Sequence, residues 1–186
     1  MPLEIDVPAC ELYGDIDPET GRKMFVHTKA TKLKLEHSLI SVAKWEAKWH
    51  KPYISSEKTT EETLDYVRCM TTIQNVDPNV YRALTKDNLN AIMEYIKDPH
   101  TATVVHENPG GKVNREIVTA ELIYYWMISY NIPIEPFQKW HLSRLITLIR
   151  VFNVKNSPPK KMSRSELYSR NAALNRARRA KFNSKG

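Results

Sequence analysis

From Ser38 onward, apolar residues recur at three- and four-residue steps, and this periodicity constrains the fold more than any other feature of the chain. Leu39, Val42, Trp45 and Trp49 form one stripe, with Lys44, Glu46, Lys48 and Lys51 elsewhere on the helix, and Pro52 ends it. Thr59-Thr60-Glu61-Glu62 reads as a capping box opening a second helix with Leu64, Val67 and Met70 on its apolar side, reaching toward Ile73. Asp77-Pro78 starts a short turn carrying Val80, Tyr81 and Leu84. Thr85 caps a helix whose apolar side holds Leu89, Ile92, Met93 and Ile96, and Asp98-Pro99 stops it. The β-branched stretch from His100 to His106 is expected to be extended, and Asn108-Pro109-Gly110-Gly111 to turn.

A long helix is expected from Asn114 to about Tyr130, central to the fold, with Ile117, Leu122, Tyr125, Trp126 and Ser129 on or near its inward side. After the rigid Ile132-Pro133-Ile134-Glu135-Pro136 connection, Phe137 to Phe152 reads as another helix, with Phe137, Trp140, Leu145, Leu148 and Phe152 as core candidates. Before Ser38 the signals differ. Leu3–Val7, Lys23–His27 and Thr31–Leu35 alternate with period two, and Asp15 to Gly21 reads as a turn. A hairpin or three-stranded antiparallel patch covered by helices is expected. The fold class is therefore mainly α: a helical bundle-like body (37–154) with a β-rich segment (1–36) packed on it, followed by a basic arm (155–186).

Charge separates that arm from the rest. The 186 residues carry a net charge of +7. Residues 155–186 hold ten Lys or Arg against Glu166 alone, a balance of +9, so residues 1–154 hold 18 bases and 20 acids, or −2. The sequence pI of about 9.3 thus describes a tail and not the body. Asn156-Ser157-Pro158-Pro159-Lys160-Lys161 reads as a stiffened linker. Ser163-Arg164-Ser165-Glu166 is a second capping box, opening a helix to about Lys181 with a thin stripe of Leu167, Ala173, Leu174 and Ala177. Such a helix buries little and is expected to fold on binding. Three roles compete for it: neutralising nucleic-acid phosphates, docking on an acidic protein, or a solubilising end. No aromatic ladder interleaves the arginines, and the cap and leucine stripe favour a protein partner.

The composition excludes several classes. Two cysteines, Cys10 and Cys69, do not make a disulfide-dense scaffold. There is no run of 18 apolar residues for a spanning helix. An acidic start without an apolar h-region gives no signal peptide, so a cytosolic location is the default. An enzyme is not expected. His37, His50, His100 and His106 lack zinc-ligand spacing and are expected to cap helices or face solvent, and His141 to lie at a surface or interface. Cys69 is expected to be a buried or half-buried thiol. The Asn108–Lys112 turn lacks the spacing of a phosphate loop. Glu61 and Glu62 suit a helix N-terminus, while Glu116 and Glu121 point apart. Among four Trp, nine Tyr and four Phe, Tyr124, Tyr125 and Trp126 are consecutive, so at least one must leave the core. Outward aromatics mark protein interfaces.

The segments Thr31–Trp49, Glu62–Met70, Glu121–Met127, Lys139–Leu145 and Tyr168–Arg179 resemble tail assembly chaperones of long-tailed bacteriophages. The resemblance touches most of the chain as a general likeness. It implies a largely helical, non-enzymatic protein of the host cytoplasm, without catalytic residue or cofactor. Such a protein escorts the helical tape measure protein while the tail tube polymerises, and is absent from the finished virion. The tape measure protein is the implied partner, with the major tail tube protein and self-association as further contacts, nucleic acid as a weaker one and no membrane. Trp45, Trp49, Tyr125 and Trp126 are the candidate client surface by residue type and placement. Trp140, Leu167, Arg170, Leu174, Arg176, Arg178 and Arg179 complete the expected partner-binding set. A head-to-tail connector or tail terminator, and a nucleic-acid-binding protein acting through its arm, are the alternatives.

Overall fold

The structure, a computed structural model, describes residues 2–16, 23–105, 116–156 and 163–183. The chain divides into two compact units, 1–152 and 153–186. The expected turns at 15–21 and 108–111 lie wholly or largely outside the described residues, as do the Pro158-Pro159 linker, His106 and the expected helix start at Asn114.

The N-terminal segment has four strands: β1 (Leu3–Val7), β2 (Cys10–Ile16), β3 (Lys23–Thr28) and β4 (Thr31–Leu35). They pair as two separate two-stranded antiparallel sheets, β1 with β4 and β2 with β3, so the three-stranded alternative is corrected. One register runs through both pairs, from Leu3↔Leu35 and Val7↔Thr31 to Cys10↔Thr28 and Tyr13↔Phe25. The ladder breaks where Pro8-Ala9 faces Lys29-Ala30, because proline has no N–H to give. Alternation puts Ile5, Val7, Leu33 and Leu35 in the core. The other face pairs Glu4 with Lys34 and Asp6 with Lys32, an opposite-charge set that favours this register.

Helices follow: α1 (Leu39–Trp49), α2 (Thr60–Met70), α3 (Pro78–Arg82), α4 (Lys86–Lys97), α5 (Ala120–Ser129), α6 (Ile134–Phe137), α7 (Leu142–Asn156) and α8 (Arg164–Phe182). Helix ends obey local chemistry. Ser38 caps α1, Thr59 and Glu62 close a capping box on α2, and Thr85 does so on α4 with Asn88 in the third position. One core joins the β1–β4 sheet to Leu39, Val42 and Trp45 of α1, Val67 and Met70 of α2, Ile92 of α4, Ile123 and Met127 of α5, and Leu145 and Ile149 of α7. Among the described residues, no helix is long and apolar enough to cross a membrane.

Several expectations for unit 1 are corrected. Ile117 is exposed and precedes α5, which begins only at Ala120 after its cap Thr119. The buried side of α5 is Ala120, Ile123 and Met127, leaving Tyr125 and Ile128 outside, so this helix is peripheral rather than central. The expected helix from Phe137 is a four-residue α6, then a turn, then α7 from Leu142, whose backbone N–H donates to the His37 carbonyl at 2.8 Å. Phe137, Trp140, Leu148 and Phe152 are half-buried.

The second unit holds α8. Its capping box at Ser163 and Glu166 is formed, and Asn183 closes the other end in a left-handed conformation at φ 46°. Every residue from Ser163 to Asn183 is exposed.

Candidate functional site

The expected client surface is not one surface. Trp45 has no exposed area; it lies in the core, and its Nε1–H donates to the Glu62 carbonyl at 2.8 Å. It is therefore a structural residue, held on α1 against α2 and edge to face with Tyr53 at 5.3 Å between rings. Trp49, one turn on, is half-buried and donates to Asp65 at 2.9 Å, with the Lys48 ammonium 5.2 Å from its ring. Tyr125 is exposed, and Trp126 is half-buried on the same helix. The expectation that one of three consecutive aromatics must leave the core is met by Tyr125, since Tyr124 turns its hydroxyl to Gln138 at 3.1 Å. Trp140 is half-buried between Phe137, at 4.4 Å between rings, and the Arg144 guanidinium, 3.9 Å above it. In the second unit, Leu167, Arg170, Leu174, Arg176, Arg178 and Arg179 all stand exposed on α8.

A concave feature lies elsewhere in the first unit. Residues of α2, α4 and α7 and the turn after α1 enclose a groove of about 680 Å³, open on one side. This is within the range of about 300–1,000 Å³ typical of binding clefts. From α4 come Leu89, Ile92, Met93 and Ile96, a stripe at steps of three, one and three residues. From α2 come Thr63, Tyr66 and Val67, and from α7 Leu142 and Ile146 one turn apart. Ile54 and Met93 stand at its edge, 46% and 45% exposed, although the periodicity of α4 placed Met93 inward. The α4 stripe is wider than a short helix needs to bury, which is a sequence signal, but the stripe alone does not tell which of its residues stands at the groove edge.

The polar atoms of the groove floor bond to one another. His37 Nδ1 shares a 2.5 Å hydrogen bond with the Tyr66 hydroxyl. The Tyr66 ring packs 4.0 Å from that of Tyr53, and burial raises both phenol pKa values above the ordinary range. Lys58 closes one end, donating to the carbonyls of Tyr53 at 2.5 Å and Ser56 at 3.0 Å, with its ammonium 4.2 Å from the Tyr53 ring. Desolvation lowers the Lys58 pKa, partly offset by the Glu62 charge. Lys97 lies at the wall. Among the described lining residues there is no carboxylate.

Behind the floor is a histidine cluster that sequence reading missed. His37 and His141 are buried, which corrects their expected placement at caps, solvent or surface. Their rings meet edge to face at 4.9 Å, and His100 stacks on His141 at 4.0 Å. His141 Nε2–H donates to the Tyr95 carbonyl at 3.1 Å, which leaves Nδ1 unprotonated, buried and without a partner among the described residues. Burial, then the neighbouring His141 and His100, push the His37 pKa down to about 3. Burial and His100 bring that of His141 to about 4. The histidines are far apart in sequence, so no local spacing announces them. Among the described residues, no group of three His, Cys, Asp or Glu is arranged to hold a metal ion.

Two acids are also buried, Glu46, which periodicity set off the apolar stripe of α1, and Glu62, read as part of the α2 capping box. Glu62 completes the α2 cap and pairs with Lys51, whose hydrogen bond, followed by that from the Thr59 backbone, holds its carboxyl below the usual range. Glu46 accepts the Tyr53 N–H at 2.6 Å and the Ala120 N–H at 2.7 Å. Cys69 is half-buried, and burial followed by the Asp65 charge raises its thiol pKa. No protein-family model, curated protein or solved structure matches the chain.

Proposed function

We propose that the chain is a non-enzymatic tail assembly chaperone of a long-tailed bacteriophage. It binds the tape measure protein in the host cytoplasm, assists tail tube polymerisation and leaves before the virion is complete. The observation that carries this reading is the open apolar groove between α2, α4 and α7. Its floor hydroxyl and imidazole are bonded to each other, so it offers apolar area and not a reacting constellation. An apolar helical client is the type of molecule such a surface retains. The resemblance in residues 31–49, 62–70, 121–127, 139–145 and 168–179 points to the same class, and these segments span β4–α1, α2, α5, the α6–α7 turn and α8. The exposed Tyr125 and Ile128 on α5 offer a separate surface for self-association or for a tail tube subunit.

The test is coexpression with the candidate tape measure protein, with and without residues 155–186. Solubilisation of the client supports the proposal, as does absence of this chain from purified virions. A client that stays insoluble with both forms overturns it. Stoichiometric retention in virions would instead identify a connector or tail terminator. The exposed, arginine-bearing α8 favours a second reading, nucleic-acid binding through the arm. That reading requires an affinity that falls steeply with salt and disappears on deletion of 155–186.

A further inference from the structure

We propose that the groove between α2, α4 and α7 seats one amphipathic helix of a partner protein, its apolar stripe against Ile92 and Met93 and its flanking carboxylates against Lys58 and Lys97. The proposal rests on the chaperone reading for the helical nature of the client and adds the chemistry by which the client is chosen. Shape comes first. The walls are helical stripes: Leu89, Ile92, Met93 and Ile96 on α4, and Leu142 and Ile146 on α7. A helix carrying apolar residues at i, i+3, i+4 and i+7 presents the matching ridge. A small polar ligand gains little, because His37 and Tyr66 already satisfy each other.

Charge then selects among helices. Among the described residues, the lining contains two lysines and no acid. Lys58 is fixed in advance, held by two carbonyls and the Tyr53 ring, so a carboxylate arriving at it orders little new structure. The same lysines disfavour this protein's own α8, which carries Arg164, Arg170, Arg176, Arg178, Arg179 and Lys181 against Glu166. The occupant is thus an apolar helix with acidic flanks from a different protein, and not the arm of a second copy.

The test uses the full chain and fluorescence anisotropy. The probe is a labelled 18-residue helical peptide with a leucine stripe flanked by glutamates, beside a twin in which each glutamate is lysine. The glutamate peptide is expected to bind about tenfold more tightly than its twin at low salt, a gap that narrows as salt rises. Lys58→Gln with Lys97→Gln is expected to bring the two peptides to within about threefold of each other. Met93→Glu and, separately, Ile54→Glu are expected to abolish binding of the glutamate peptide, with melting temperatures showing that each remains folded. Val104→Ser, at an exposed position outside the groove lining, is expected to leave both affinities unchanged. Equal affinity for the two peptides overturns the proposal, as does binding that survives both groove substitutions. If neither peptide binds while the apolar dye 1-anilinonaphthalene-8-sulfonate does, the groove is a small-ligand pocket and the proposal is overturned. Coexpression separates the two readings. If Met93→Glu and Ile54→Glu still solubilise the tape measure protein, the groove proposal fails and the chaperone reading stands. If the wild-type chain never solubilises it, the chaperone reading fails and the peptide comparison alone judges the groove.

Discussion

The carboxylate of Glu46 on α1 accepts the backbone N–H of Ala120, the first residue of α5, at 2.7 Å across 74 residues of chain. Its other oxygen accepts the N–H of Tyr53 at 2.6 Å. One buried side chain therefore fixes the turn after α1, from which Tyr53, Ile54 and Lys58 reach the groove, and supplies negative charge at the N-terminus of α5. Glu46→Ala strands two backbone donors and is expected to cost about 2–5 kcal/mol. Glu46→Gln keeps an acceptor and is expected to cost less. Urea unfolding of both variants gives the order, and an Ala variant as stable as wild type would refute the stapling role.

Trp45 and Tyr125 are expected to respond oppositely, since one is enclosed and the other stands in solvent. Trp45→Ala removes a core indole and its bond to the Glu62 carbonyl, with an expected loss of about 3–5 kcal/mol. Tyr125→Ser is expected to stay within about 0.5 kcal/mol of wild type. Thermal melts of the two variants, run side by side, check the contrast.

The histidine cluster sets an acid limit on stability. The folded pKa of His37 is about 3 and that of His141 about 4, both below the ordinary 6.5. The unfolded chain therefore binds more protons than the folded one between those values and 6.5. The stabilisation is complete above pH 6.5 and declines as the pH falls toward 3. For His37 alone the decline reaches about 2 kcal/mol at pH 5. Chemical unfolding at pH 7, 6 and 5 reads this slope. His37→Gln should flatten it, and an equal slope in that variant would assign the acid sensitivity elsewhere.

Cys69 should be a slow thiol. Burial and the Asp65 charge disfavour its thiolate. Reaction of a Cys10→Ser variant with a disulfide reagent at pH 8 should run slower than that of a free cysteine peptide. Addition of urea should restore the free-thiol rate.

The arm helix should depend on its surroundings. Its local signals are the capping box and the alanine content, with only a thin apolar stripe of Leu167, Ala173, Leu174 and Ala177. A 162–186 peptide is expected to show little helix by circular dichroism alone and more with a partner. Ser163→Ala should lower the bound helicity further, and a fully helical isolated peptide would end the idea of folding on binding.

What the sequence settled by itself was local. The limits of α1, α2, α4 and α8 follow from Ser38, Thr59, Thr85 and Ser163 at their starts, and from Pro52 and Pro99 beyond two of their ends. Those groups act on backbone N–H groups within one turn, or through a ring that cannot continue a helix, so no distant residue is needed. The alternation of β1 and β4 likewise fixed which of their side chains face the core. Tertiary structure decided the rest. In the apolar run of α5, neighbouring positions are nearly equal in hydrophobicity, so only packing against α1 selects Ile123 and Met127 over Tyr125 and Ile128. Glu46 reads as polar surface until Ala120 arrives with an unsatisfied donor. The stripe of α4 reads as core until the fold leaves Met93 45% exposed at the edge of the groove. Each of these outcomes depends on which stripe meets which, a relation between residues far apart in the chain that no window of sequence contains.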